Sequence, residues 1–214
     1  MKNYEIPISP NYVHNWGVQE AVRELLQNAI DADKCGYKKD VLYNKESNLL
    51  TIVSTGITLP VSSLVLGCST KDENESLIGK YGEGYKLALV VLLRKGYIIN
   101  ICNGSQTWTP SFKDSEIFQT KILNIDVTEN DFECNDLVFC IQGVSEQLYN
   151  SLLNMFPCID NNFGKTINTS NGAILLDARF KGQMFVEGLY IQTDANFKYG
   201  YNFNVETVQL DRDR

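Results

Sequence analysis

Two short segments carry the residue types that chemistry on a phosphorylated ligand would need. The first runs Glu24-Leu-Leu-Gln-Asn28-Ala-Ile-Asp31-Ala32. Glu24 and Asn28 are four apart and Asp31 is three further on, so on a helix all three lie near one face. A carboxylate within hydrogen-bond reach of a water can take its proton. A carboxamide oxygen is a neutral ligand for a hard cation. Asp31 stays ionised unless buried and is suited to anchoring a neighbouring loop. The bland alternative is an amphipathic helix with a solvated polar face. Arg23 reads as pointing elsewhere on that helix, a surface or interface residue before a catalytic one.

The second segment is Ile78-Gly79-Lys-Tyr-Gly82-Glu83-Gly84-Tyr85-Lys86. Its glycines are spaced G-x-x-G-x-G directly before an apolar run. Glycines admit positive backbone dihedrals and close approach to a ligand. Amides at a helix start then face an anion such as a phosphate chain. Glu83 and Tyr85 lie within this loop and count among its ligand-facing candidates, although Tyr81 and Tyr85 suit packing better than catalysis. Lys71 and Lys86 are candidate phosphate neutralisers, and Ser69 and Thr70 can add hydroxyl bonds. There is no G-x-x-x-x-G-K-[ST] run, so this is not a P-loop. Nor does it follow the first strand of a βαβ unit, as a dinucleotide fingerprint should.

The elements that would position these groups are legible. Val18, Ala21, Val22, Leu25, Leu26 and Ala29 recur at spacings of three and four, predicting a helix over 16–33 that stops near Gly36. Residues 84–94 predict a second helix ending before Gly96, and 145–155 a third, striped by Leu148, Leu152, Leu153 and Phe156. Strands are expected at 39–44, 48–54, 97–102, 107–112, 117–126, 136–142, 172–177 and 183–192. Residues 1–15 read as an N-terminal arm or edge strand, 61–66 as a short helix or turn and 67–78 as a polar lid. Residues 158–171 read as an Asn-rich connection, and 197–207 as the closing aromatic stretch. With no dividing linker, 1–214 reads as one domain, with 158–214 as an appended hairpin region. The charged Asp-Arg-Asp-Arg end is compatible with the front of a longer polypeptide.

Composition narrows the class. The chain has 214 residues, 43% of them hydrophobic, enough for one real core. Nineteen Lys and Arg against 26 Asp and Glu give a net charge of -7, which argues against a general nucleic-acid binder. The apolar run at 87–93 is too short to span a bilayer. The six cysteines form no Cys-x-x-Cys pair, and His14 is the only histidine. A zinc site has little support, and a reducing cytoplasm is the expected location.

The Glu-x-x-x-Asn-x-x-Asp-Ala box and the glycine box together resemble the ATPase superfamily of DNA gyrase B, the heat-shock ninety chaperones, MutL and histidine kinases. The resemblance covers about residues 16–102. It implies the Bergerat fold, an α+β two-layer sandwich with helices on one face of a mixed, largely antiparallel sheet. It implies ATP (or ADP) with Mg2+, Glu24 as general base and Asn28 as magnesium ligand. In relatives an Asp-x-Gly-x-Gly box binds the adenine amino group. Here Ser54 stands at the aspartate, Gly56 is kept and the second glycine is missing. A serine hydroxyl accepts a hydrogen bond without charge assistance. A later Gly-Thr of relatives is matched to Asn135-Asp136. Trp16 through Asn28, Gly82 through Leu89 and Val186 through Ile191 are similar to phage rIIA-like proteins, which would place the chain in a host cytoplasm.

The implied function is slow Mg-dependent ATP hydrolysis acting as a conformational switch, with an ATP-dependent homodimer through residues 1–15 and a protein partner as expected associations. The alternatives are a catalytically weak nucleotide-binding regulatory module and a protein-binding inhibitor. An autokinase is ranked low, because no phosphoacceptor helix accompanies His14.

Overall fold

A computed structural model describes residues 1–67, 83–131 and 134–208. These group into two compact units, divided between Glu146 and Gln147.

The first unit is built on a seven-stranded, wholly antiparallel sheet. In chain order its strands are β1 (Lys2–Ile6), β2 (Lys38–Asn44), β3 (Leu49–Thr55), β4 (Ile98–Asn103), β5 (Gln106–Ser115), β6 (Thr120–Glu129) and β7 (Leu137–Gln142). The spatial order is β1-β6-β5-β4-β7-β3-β2. Alternation decides the faces. Leu50, Ile52 and Ser54 of β3 are buried, while Leu49, Thr51 and Val53 are half-buried.

Two helices pack on this sheet, α1 (Val18–Lys34) against β2 and β3, and α2 (Gly84–Arg94) against β4 and β5. They also pack on each other. The stripe of α1 read from spacing is the buried one, with Ala21, Val22, Leu25, Leu26 and Ala29 inside. Each such Leu or Val contributes roughly 1.5–3 kcal/mol on burial. At the start of α1, Glu20 accepts from the Gly17 amide at 2.8 Å, pinning the first turn. Both helices end in the same way. Gly36 and Gly96 take φ of +91° and +85°. The amides of Gly36 and Tyr37 then reach back to Asp33 and Ala32, and those of Gly96 and Tyr97 to Leu93 and Leu92. These are Schellman stops, for which glycine is the natural residue.

The N-terminal segment is stitched to its own body. β1 pairs with β6, and the Arg94 guanidinium donates to the carbonyls of Pro10, Tyr12, Val13 and Trp16 at 2.8–3.2 Å. An arm exchanged with a second copy would have to break these bonds.

The second unit comprises the rest of α3 (Glu146–Met155) and a five-stranded sheet. Its strands are β8 (Thr166–Thr169), β9 (Gly172–Leu175), β10 (Gln183–Val186), β11 (Leu189–Thr193) and β12 (Gly200–Phe203), in the order β11-β10-β12-β9-β8. Leu175, Phe180 and Phe185 form a small core. Two expectations are corrected here. The polar connection at 158–171 contains β8, because Thr166–Thr169 pairs with β9 despite its polarity. The strand read across 183–192 is a hairpin. Glu187 and Gly188 both take positive φ, +52° and +74°, and turn the chain between Val186 and Leu189.

Candidate active site

α1 carries Glu24, Asn28 and Asp31. Asn28 is half-buried, and Asp31 is wholly buried. The decisive contact involves Glu24. A Cβ added to Gly84 would collide with Glu24 Oε2 and lie 3.3 Å from its Cδ. The carboxylate therefore rests against the first residue of α2. Residues sixty positions apart in the chain meet because α1 and α2 pack together, and Gly84 is where a side chain would prevent it. Spacing alone could not show this pairing.

Arg23 was expected elsewhere, and the structure corrects that. Its side chain is only 12% exposed, and its Nη2 lies 3.6 Å from Glu24 Oε1. Adjacent helical residues diverge by about 100°, but a long guanidinium stem reaches back across that angle.

Lys86 and Tyr85 occupy the first turn of α2 and face inward. Lys86 is fully buried, and its Nζ donates to the carbonyls of Ser63 at 2.6 Å and Val65 at 2.8 Å. The ammonium thereby ties α2 to the short 3-10 turn Val61–Leu64 and the residue after it. The Tyr85 hydroxyl donates to the same Ser63 carbonyl at 2.8 Å and lies 3.1 Å from Ser63 Oγ. Burial pushes that hydroxyl up to about 12, the bond with Ser63 opposing part of the rise. Tyr85 also packs on Phe139, in keeping with a packing role. Glu83 is half-buried just before α2.

The β3 end has its own fastenings. Ser54 is buried, opposite Lys39 on β2 and Leu137 on β7. Its β7 neighbour is Leu137. Asp136 Oδ1 accepts from the Gly56 amide at 2.8 Å. Gly56 has φ of +81°, which favours glycine there. Asn103 clamps the following segment in both directions, accepting from Leu59 N at 2.7 Å and donating to Leu59 O at 2.9 Å. Sequence reasoning missed both Asp136 and Asn103 in these parts. A buried asparagine at the end of an apolar strand was the available signal for the latter.

Ser69, Thr70, Lys71, Gly79 and Gly82 lie outside the described residues. Among the described residues no group of three or more His, Cys, Asp or Glu could hold a metal ion. No described helix is long and apolar enough to cross a membrane.

No protein-family model matches the chain. It is 24% identical over 205 residues to an uncharacterized protein of Mycoplasma pneumoniae (strain ATCC 29342 / M129), covering 92% of this chain and 83% of that protein. Among solved structures it is similar to the ATPase region of Saccharomyces cerevisiae topoisomerase II, with TM-score 0.49 and 11% identity over 80% of this chain. It is also similar to the ATPase and transducer domains of DNA topoisomerase II from Balamuthia mandrillaris, with TM-score 0.48 and 12% identity. The chain covers 62% and 59% of those two solved chains.

Proposed function

We propose that this chain binds a magnesium nucleoside triphosphate, ATP before others, and hydrolyses it slowly. The observation that carries the reading is the seating of the Glu24 carboxylate against Gly84 at the start of α2. A general base and a helix N-terminus suited to phosphate are brought to one place. Glu24 then takes the proton of the attacking water, while backbone amides at the α2 start face the developing charge on the phosphoryl group.

The donor set fits magnesium better than a metal held by protein alone. Asn28 offers one neutral oxygen on the Glu24 face, and no acidic cage is present among the described residues. Magnesium usually takes one or two protein oxygens and completes its shell with phosphates and water. When bound, it would offset phosphate charge, with Asn28 as its protein ligand. Asp31 is buried on the same helix. Lys71, Ser69, Thr70, Gly79 and Gly82 are assigned to the phosphate side by sequence. The affinity with phage rIIA-like proteins, a cytoplasmic location and an ATP-dependent dimer belong to this reading as well.

A second reading is a nucleotide-binding regulatory module without useful turnover. Ser54 favours it, since a neutral hydroxyl replaces a carboxylate at the expected base position. The test compares ATP turnover of the full chain with that of Glu24→Ala, alongside calorimetry with ATP, ADP and GTP in magnesium. Turnover should fall about a hundredfold or more while ATP binding is kept. Equal rates with binding retained would leave only the regulatory module. Failure to bind any of the three nucleotides would remove both readings.

A further inference from the structure

Arg23 is the least satisfied charged residue beside the site. Its side chain is largely buried, yet among the described residues its charge partner is Glu24 Oε1, at 3.6 Å. Its Nε is buried with no hydrogen-bond partner among the described residues. A guanidinium serving stability alone is normally found in a short bidentate bond, and an orphaned buried donor calls for an explanation.

The carboxylate next to it supplies one. Glu24 is held from two sides, with Oε1 toward Arg23 and Oε2 against Gly84. We propose that Arg23 is a positioning residue for Glu24, setting the rotation of its carboxylate so that Oε2 faces the start of α2. The proposal rests on the hydrolytic reading above. Arginine suits the task because its charge is permanent and its planar fork resists rotation. The loose separation also fits: a tight bidentate pair would occupy both carboxylate oxygens, whereas this contact engages one.

The experiment measures ATP turnover and ATP dissociation constants for the full chain, Arg23→Ala, Arg23→Lys, and Arg23→Ala in a Glu24→Gln background. If the proposal holds, Arg23→Ala lowers kcat about tenfold, the scale of a modest misplacement of a reacting group. The dissociation constant for ATP stays unchanged. Arg23→Lys recovers part of the rate, since it keeps the charge without the fork. In the Glu24→Gln background the Arg23 substitution causes no further loss, because the two act as one unit. Unchanged kcat in Arg23→Ala overturns the proposal and leaves hydrolysis standing. So does a loss carried by the dissociation constant, which would make Arg23 a ligand contact, or a loss that persists without Glu24. Should Arg23→Ala fail to fold, Arg23→Lys decides: lowered kcat at unchanged affinity supports positioning, and unchanged kcat overturns it. Absence of turnover in the wild type overturns the hydrolytic reading and this proposal with it.

Discussion

The two units of this chain bury different things. The first unit buries Gln27, Asp31, Ser54, Ser63, Lys86, Asn103, Ser115 and Asn124 among its apolar residues. In the second unit no described polar or charged side chain is buried to that degree. There the core is aromatic: Phe180 meets Phe185 edge-on at 5.5 Å, and Phe185 meets Tyr190 at 6.0 Å. Its carboxamides stay outside, with Asn161, Asn162, Asn168 and Asn202 lining an open cleft. Burying polar groups is costly unless they are bonded, and aromatic packing achieves stability without that cost. In the first unit Lys86 and Asn103 fasten Ser63, Val65 and Leu59, while Ser115 bonds Glu5 and Asn124 bonds the Ile122 carbonyl. The first unit is thus held by bonded polar groups as well as apolar packing, and the described core of the second by aromatic packing.

The sharpest way to break this comparison uses two glycines. Gly84→Ala should push Glu24 out of place and lower turnover on the order of a hundredfold, with little change in melting temperature. Gly172 of β9 has φ of +136°, and a Cβ there would lie 2.8 Å from Phe203 Cα. Gly172→Ala should destabilise the second unit by on the order of 3 kcal/mol while ATP turnover persists at temperatures where the unit stays folded. If instead the two variants behaved alike in both assays, the units would not divide the work as described. Smaller effects refine the point. Lys86→Met leaves the Ser63 and Val65 carbonyls without their ammonium and should cost about 2 kcal/mol by denaturant unfolding. ATP affinity should barely move; a large loss of affinity at unchanged stability would return Lys86 to the phosphates. The smallest effect concerns pH. Tyr85 loses its proton near 10 in the unfolded chain and at about 12 in the folded one. Its contribution is complete below pH 10 and is lost as pH rises toward 12. Tyr85→Phe should flatten that alkaline decline in melting temperature, and an unchanged slope would count against burial as its cause.

Much of the first unit was legible because its signals are local. The α1 stripe, the glycine stops at Gly36 and Gly96 and the strand alternation each follow from spacing that the backbone imposes. The second unit was less so. A polar strand such as Thr166–Thr169 exists only because β9 supplies its partner. The Glu187-Gly188 turn separates two short β-forming runs, and the positive φ at both residues is what folds one back on the other. Of the candidate site, Glu24, Asn28 and Asp31 were readable as candidates from residue type and spacing. The contact of Arg23 was not, since the angular position of its Cα on the helix says nothing of where a four-bond stem ends. Nor were those of Lys86, since its place two residues after a glycine says nothing of the Ser63 and Val65 carbonyls that it reaches.

By itself the sequence determined that α1 would present a carboxylate and a carboxamide on one face, and that a glycine run would precede α2. Those facts depend only on helical periodicity and glycine's missing side chain. Tertiary structure alone decided that the carboxylate rests on Gly84 and that Lys86 turns inward. The reason is that each of these contacts joins elements far apart in the chain. Their distances are set by how two helices pack on a sheet, which no local pattern encodes.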